Sequence, residues 1–149
     1  MSSNLFDMTN KVALITGSSK GIGRAIAEAM VRQGATVVIS SRKADVCQEV
    51  ADAINAEAKA SGNQTGEALV IPAHVGQREA LQHLVDETRA RLGQIDVLVC
   101  NAAVNPFYGS MQELPDDAMD KILDINIKSN HWLVNLVLPE MIERKDGAI

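Results

Sequence analysis

The run Val12-Ala13-Leu14-Ile15-Thr16-Gly17-Ser18-Ser19-Lys20-Gly21-Ile22-Gly23 joins an apolar tetrapeptide to three closely spaced glycines. Four apolar residues that break off at Thr16-Gly17 read as a buried strand meeting a turn. Gly17 suits the tight turn off that strand. Gly21 lets a phosphate approach the backbone, and Gly23 lets a helix pack close to the sheet. The start of a helix offers unpaired N–H groups and a partial positive charge, which together hold pyrophosphate. Glycines alone would be a weak signal. Glycines that follow a strand and open a helix are the context that confirms nucleotide binding. No Gly-Lys-Ser/Thr occurs, so a Walker-type loop is excluded.

Outward from this turn, apolar runs alternate with helical patterns. Ile22, Ala25, Ile26, Ala29 and Met30 recur at helical spacing and predict one apolar helix face, with Gly34 placed to end it. Thr36-Val37-Val38-Ile39 reads as a second strand. Val46, Val50, Ala53 and Ile54 predict a second helix, which fades into a loop over 61–66. Ala68-Leu69-Val70-Ile71 is a third strand, Leu81, Leu84, Val85 and Leu92 mark a third helix before Gly93, and 95–100 is a fourth strand. After the loop holding Pro106, Phe107, Tyr108 and Gly109, a long helix is expected from about Pro115 to about Arg144. Pro115 suits a first turn, and Pro139 should kink or break the helix. Asp146-Gly147 is a turn, and Ala148-Ile149 resembles the start of a fifth strand. These elements predict one α/β domain over 1–149. Its core is a Rossmann-like, doubly wound parallel sheet, truncated at the start of strand five. Ligands of such sheets sit at the carboxyl ends of the strands.

Composition narrows the function classes. The chain has 149 residues, 46% hydrophobic and 22% charged, an ordinary globular balance for one domain. Aromatics at 3% disfavour stacking platforms for single strands, and a net charge of −5 disfavours a phosphate backbone, so no nucleic-acid partner is expected. No apolar run is long enough to span a bilayer, and no membrane partner is expected. Residues 1–7 lack the basic and apolar regions of a secretory signal. Cys47 and Cys100 lie far apart and read as buried, inert thiols of a reducing, cytoplasmic compartment. His74, His83 and His131 are scattered, so no metal site is expected.

The end of the second strand selects the nucleotide. An acid about 20 residues beyond the glycines would bond a ribose 2′-OH, whereas an Arg there accommodates a 2′-phosphate. The chain reads Ile39-Ser40-Ser41-Arg42-Lys43, with no acid before Asp45. Arg42 offers a planar fork, Ser41 a hydroxyl, and Lys20 a further positive charge. NADP(H) is therefore expected over NAD(H).

These residues resemble the short-chain dehydrogenase/reductase family. Its Thr-Gly-x-x-x-Gly-x-Gly loop is met by Thr16 to Gly23. Its Asn-Asn-Ala-Gly motif appears altered as Cys100-Asn101-Ala102-Ala103, and its helix Asn is matched by Asn126 in Leu123-Asp124-Ile125-Asn126. The resemblance covers the chain from about Lys11 onward. Ser40 to Lys43, His74-Val75-Gly76 and Asn101 to Phe107 are further similar to a carbonyl and retinal reductase subgroup that uses NADPH.

The resemblance implies an NADP(H)-dependent oxidoreductase that moves a hydride between nicotinamide and a small carbonyl or alcohol. It implies cofactor binding by Gly17, Ser19, Lys20, Gly21, Ile22, Gly23, Ser41, Arg42, His74, Val75, Asn101, Ala102 and Ala103. Ser19 and Ile22 enter through loop backbone that should face the phosphates. Where most relatives place an Asp against adenine stands His74, so that contact is expected from His74 itself or from the Val75 backbone. Asn101 is expected either at the adenosine ribose or as a cap of nearby backbone. Asn126 is the one member of the catalytic tetrad present. Ser and Tyr-x-x-x-Lys follow the fifth strand in relatives; here the only Tyr is Tyr108, and Gln112 stands four residues on. The 149 residues are therefore expected to be an amino-terminal part of a longer protein or a truncated product. The broad apolar surface of the long helix implies a homo-oligomer in the full-length form. A catalytically inactive dinucleotide-binding fragment or interaction module is the alternative. A methyltransferase on a similar sheet is a third option, against which Arg42 and Asn126 count.

Overall fold

The computed structural model describes residues 5–62 and 66–149. Residues 1–4 of the expected non-signal start, 1–7, and the middle of the expected loop at 61–66 lie outside the described residues. Four parallel strands, β1 (Val12–Thr16), β2 (Thr36–Ser40), β3 (Glu67–Val70) and β4 (Val97–Val99), form a sheet in the order β3-β2-β1-β4. Successive crossovers run outward from β1 through β2 to β3, and the next returns to the other side of β1 as β4. The crevice for a ligand therefore opens between the carboxyl ends of β1 and β4. Ala148 adds a single parallel bridge outside β4: its N–H donates to the Asp96 carbonyl at 2.9 Å, and Leu98 N–H donates back at 2.9 Å. The expected fifth strand begins there.

Alternating side chains send the strands' apolar residues to two cores. Ala13, Ile15, Val37 and Ile39 pack under α1 (Gly21–Arg32) and α2 (Ala44–Ala60). Leu14, Val38 and Leu98 pack under α3 (Arg78–Leu92) and α5 (Ser129–Arg144). Helices thus cover both faces of the sheet, as the sequence pattern predicts. At the amino-terminal edge, Val12 N–H donates to the buried Asp96 carboxylate at 2.8 Å, and Arg144 lies 3.5 Å from the same group.

The structure departs from the sequence pattern in four places, the smallest on α2, where Ala53 is exposed and the buried face is Cys47, Val50, Ala51, Ile54 and Ala58. The buried face of α1 is Gly23, Ala27 and Val31, whereas Ile22 is 76% exposed and Ala25 and Ala29 are exposed. The small side chains let α1 settle close to the sheet, so the face turns about one residue from the bulky stripe. β4 is shorter than 95–100. Pro139 does not break the long helix: α5 runs through it, with Arg89 donating from Nη2 to the Leu136 carbonyl at 2.6 Å. The irregularity lies upstream, where α4 (Asp116–Leu123) passes through a π-turn at Asp124–Lys128 into α5. Ser129 Oγ donates to the Ile125 carbonyl at 2.6 Å and Asn130 Nδ2 to the Asn126 carbonyl at 2.9 Å. These side chains serve the carbonyls of the widened turn.

Candidate cofactor site

The glycine loop is bonded on both flanks. Toward β4, Asn101 Nδ2 donates to the Thr16 carbonyl at 2.9 Å and to the Gly17 carbonyl at 3.1 Å. Thr16 Oγ1 in return accepts from the Asn101 and Ala102 amides, both at 3.1 Å. Toward β2, the fully buried Ser18 donates from Oγ to the Ile15 carbonyl at 2.7 Å and accepts from Ser40 N–H at 2.8 Å. Thr16 and Ser18 are the positioning residues that sequence reading missed. Their signal was a small polar residue beside backbone groups that must find partners.

The glycines fit this frame. Gly17 lies at φ +66°, and a Cβ there would come within 2.9 Å of Ala102 Cα. A Cβ on Gly23 would lie 2.5 Å from Asn101 Nδ2 and 2.6 Å from the Gly17 carbonyl oxygen. Gly21, at φ +56°, faces open space instead. An open glycine at the amino end of α1, beside first-turn amides with no helical carbonyl ahead of them, fits a pyrophosphate.

The remaining predicted residues gather on the same carboxyl edge. Ser19 is half-buried and Lys20 exposed at the head of α1. Arg42 follows β2, exposed; among the described residues neither it nor Lys20 is paired with a carboxylate. Ser41 Oγ lies 3.1 Å from Cys47 Sγ, so its hydroxyl already has one neighbour. Beyond β3, His74 Nδ1 accepts from Gly76 N–H at 3.0 Å, with Val75 half-buried between them. Ala102 is half-buried and Ala103 exposed after β4. Both cysteines are free: Cys47 is buried, and burial pushes the half-buried Cys100 thiol up from its ordinary pKa.

Asn126 joins this edge through the loop after β4. Its Oδ1 accepts from Val104 N–H at 2.9 Å and its Nδ2 donates to the Val104 carbonyl at 2.9 Å. The amide thus pins the chain just beyond Ala103, at the π-turn. Irregular turns of this kind are frequent at functional sites. Tyr108 is 91% exposed in the loop between β4 and α4. Among the described residues there is no cluster of three metal-ligating side chains, and no helix is long and apolar enough to cross a membrane.

Residues 11–149 match the family model described as short chain dehydrogenase. The chain is 43% identical over 143 residues to dehydrogenase/reductase SDR family member 4 of Bos taurus, covering 95% of this chain and 48% of the relative. It is 42% identical over 145 residues to the Homo sapiens protein of that name, covering 95% and 49%. The chain thus spans about half the length of the curated relatives it matches. Among solved structures, a metagenomic short-chain oxidoreductase in complex with NADP superposes with a TM-score of 0.83 at 31% identity, covering 94% of this chain and 60% of that one. A 3-oxoacyl (acyl-carrier-protein) reductase from Agrobacterium tumefaciens with NADP bound also gives 0.83 at 29% identity, covering 95% and 52%.

Proposed function

Because the chain belongs to the short-chain dehydrogenase family, we propose that it forms the NADP(H)-binding half of an oxidoreductase acting on a small carbonyl compound or alcohol. The observation that carries this reading is the open Gly21 at the head of α1 with two exposed cations, Lys20 and Arg42, on the same edge, neither paired with a carboxylate among the described residues. Gly17 to Gly23 would hold the pyrophosphate through backbone amides. Arg42 would take the 2′-phosphate with its planar fork, aided by Ser41 and Lys20. The turn at His74 and Val75 would take the adenine, and Asn101 to Ala103 would close the β4 side. When bound, the nicotinamide supplies or accepts the hydride. Asn126 would act in the proton relay; its amide is bonded to Val104, and its main-chain carbonyl faces the π-turn.

Charge develops on the substrate oxygen as a carbonyl is reduced, and a donor of tuned pKa must meet it. The 149 residues contain no Tyr-x-x-x-Lys. We therefore expect them to bind the dinucleotide without turning it over, and the reductase activity to belong to a protein of the relatives' length. Leu123, Ile127, Leu138 and Ile142 remain exposed on the long helix, and that face supports the homo-oligomer. The free thiols favour a reducing compartment, the cytoplasm.

Calorimetric titration tests the nucleotide choice. NADPH should bind at least ~10-fold more tightly than NADH, the weight of one charge-assisted phosphate contact. Arg42→Ala should bring the two nucleotides together. Equal affinities in the parent chain would reject NADP(H) as its cofactor.

A further inference from the structure

β3 is followed by an extended segment that still pairs with β2. Ile71 N–H donates to the Ile39 carbonyl at 3.2 Å, and Ala73 N–H to the Ser41 carbonyl at 3.1 Å. His74 is thereby set beside Ser41 and Arg42, just beyond β2. Its carbonyl accepts from Gln77 N–H at 2.9 Å as α3 begins. Its ring folds back so that Nδ1 accepts from Gly76 N–H at 3.0 Å. A Cβ on Gly76 would lie 3.0 Å from His74 Cε1 and 2.7 Å from Ile125 Cδ1. The turn is therefore wedged between the imidazole and the residue preceding Asn126.

An Nδ1 that accepts must be unprotonated, so the bond requires the neutral ring with its proton on Nε2. Asp and Asn make the same bond to an amide two residues on through a side-chain oxygen, in an Asx turn. A second proton would place N–H against N–H and abolish the bond. Histidine is the side chain that ordinarily changes charge between about pH 5 and 8. The charged residues of the adjoining elements include Arg42 and Lys43 after β2, Arg78 and Glu79 at the head of α3, and Asp124 and Lys128 on the π-turn. Among the described residues, none of them forms an ion pair with the imidazole.

We propose that His74 is a protonation-sensitive latch that sets the Val75 backbone for the adenine half of the dinucleotide. It is a positioning residue, and its neutral form holds the binding-competent turn. The latch rests on the NADP(H) reading above.

NADP⁺ is titrated calorimetrically into the parent chain, His74→Asn and His74→Ala at about pH 8 and about pH 5.5, on either side of the histidine range. The Asn variant keeps an acceptor that does not titrate, so whatever its affinity at the higher pH, acid should weaken it no further than the 2′-phosphate does. In acid the parent should lose about 2- to 12-fold more affinity than the Asn variant, the weight of one neutral hydrogen bond. The 2′-phosphate titrates alike in all three proteins and cancels in that ratio. The Ala variant should bind weakly at both values. Nitrogen-15 spectra of the parent at the higher pH should show Nδ1 unprotonated, a readout that stands even if the Ala variant fails to fold. Equal acid losses in parent and Asn variant, or a proton on Nδ1, overturn the latch alone. Absence of NADP⁺ binding by the parent at the higher pH overturns the cofactor reading and the latch together.

Discussion

Gly23→Ala is expected to abolish dinucleotide binding and to lower the stability of the chain by about 1–3 kcal/mol, the usual cost of forcing a methyl into a packed core. The added Cβ would meet three groups: Asn101 Nδ2 at 2.5 Å, the Gly17 carbonyl oxygen at 2.6 Å and Ser18 Cα at 3.0 Å. Two of these are backbone of the loop itself, so relief requires the loop to move. Moving it breaks the Asn101 bonds to the Thr16 and Gly17 carbonyls. Truncating Asn101 in the same protein removes only one of the three clashes. The double variant Gly23→Ala/Asn101→Ala should therefore bind no better than the single one. Urea denaturation and NADP⁺ calorimetry measure both effects. A Gly23→Ala chain that still binds NADP⁺ within about threefold of the parent would detach the nucleotide from this loop.

The second large effect falls on a side chain with no expected contact to the ligand. Ser18→Ala should destabilise the chain by about 1–3 kcal/mol, the range for buried polar groups left without a partner. Ser18 is 0% exposed, and its hydroxyl links the Ile15 carbonyl at 2.7 Å to the Ser40 amide at 2.8 Å. Its own N–H also donates to the Ser40 carbonyl at 3.2 Å. Alanine fills the space but serves neither group, and no water replaces a hydroxyl in so tight a site without displacing backbone. The neighbouring Ser19 is half-buried and contributes no such bridge. Ser19→Ala should leave the urea midpoint unchanged, so the pair separates loop scaffolding from general polarity. Equal midpoints for parent and Ser18→Ala would refute the bridge.

Much of this arrangement was legible in the residues because its physics is local. The strand that stops at Thr16, the glycines of the turn and the helix after them follow one another within a dozen positions. The absence of an acid before Asp45 is equally readable. What the sequence concealed depends on distant partners. The burial of Gly23 in place of Ile22 follows from how near α1 sits to Asn101, a residue far along the chain. Asn126 is legible through the family resemblance as the helix Asn, but the bonding of its amide on both sides to Val104 is not. The π-turn has no periodic signature, because its carbonyls are served by Ser129 and Asn130. Pro139 predicts a kink or a local break, yet α5 runs through it without a break, held by its packing on α3 with Arg89 bonded to the Leu136 carbonyl.

In the proposed complex a dinucleotide seats its pyrophosphate at the head of α1 with its 2′-phosphate beside Arg42. Backbone amide spectra of the chain titrated with NADP⁺ test it most directly. Gly17 to Gly23 and Arg42 should shift first and farthest, with smaller changes at Val75 and Ala102, and the Arg42 shift should vanish when NAD⁺ replaces NADP⁺. Shifts centred on α4 or α5, with Gly17 to Gly23 unmoved, would contradict it.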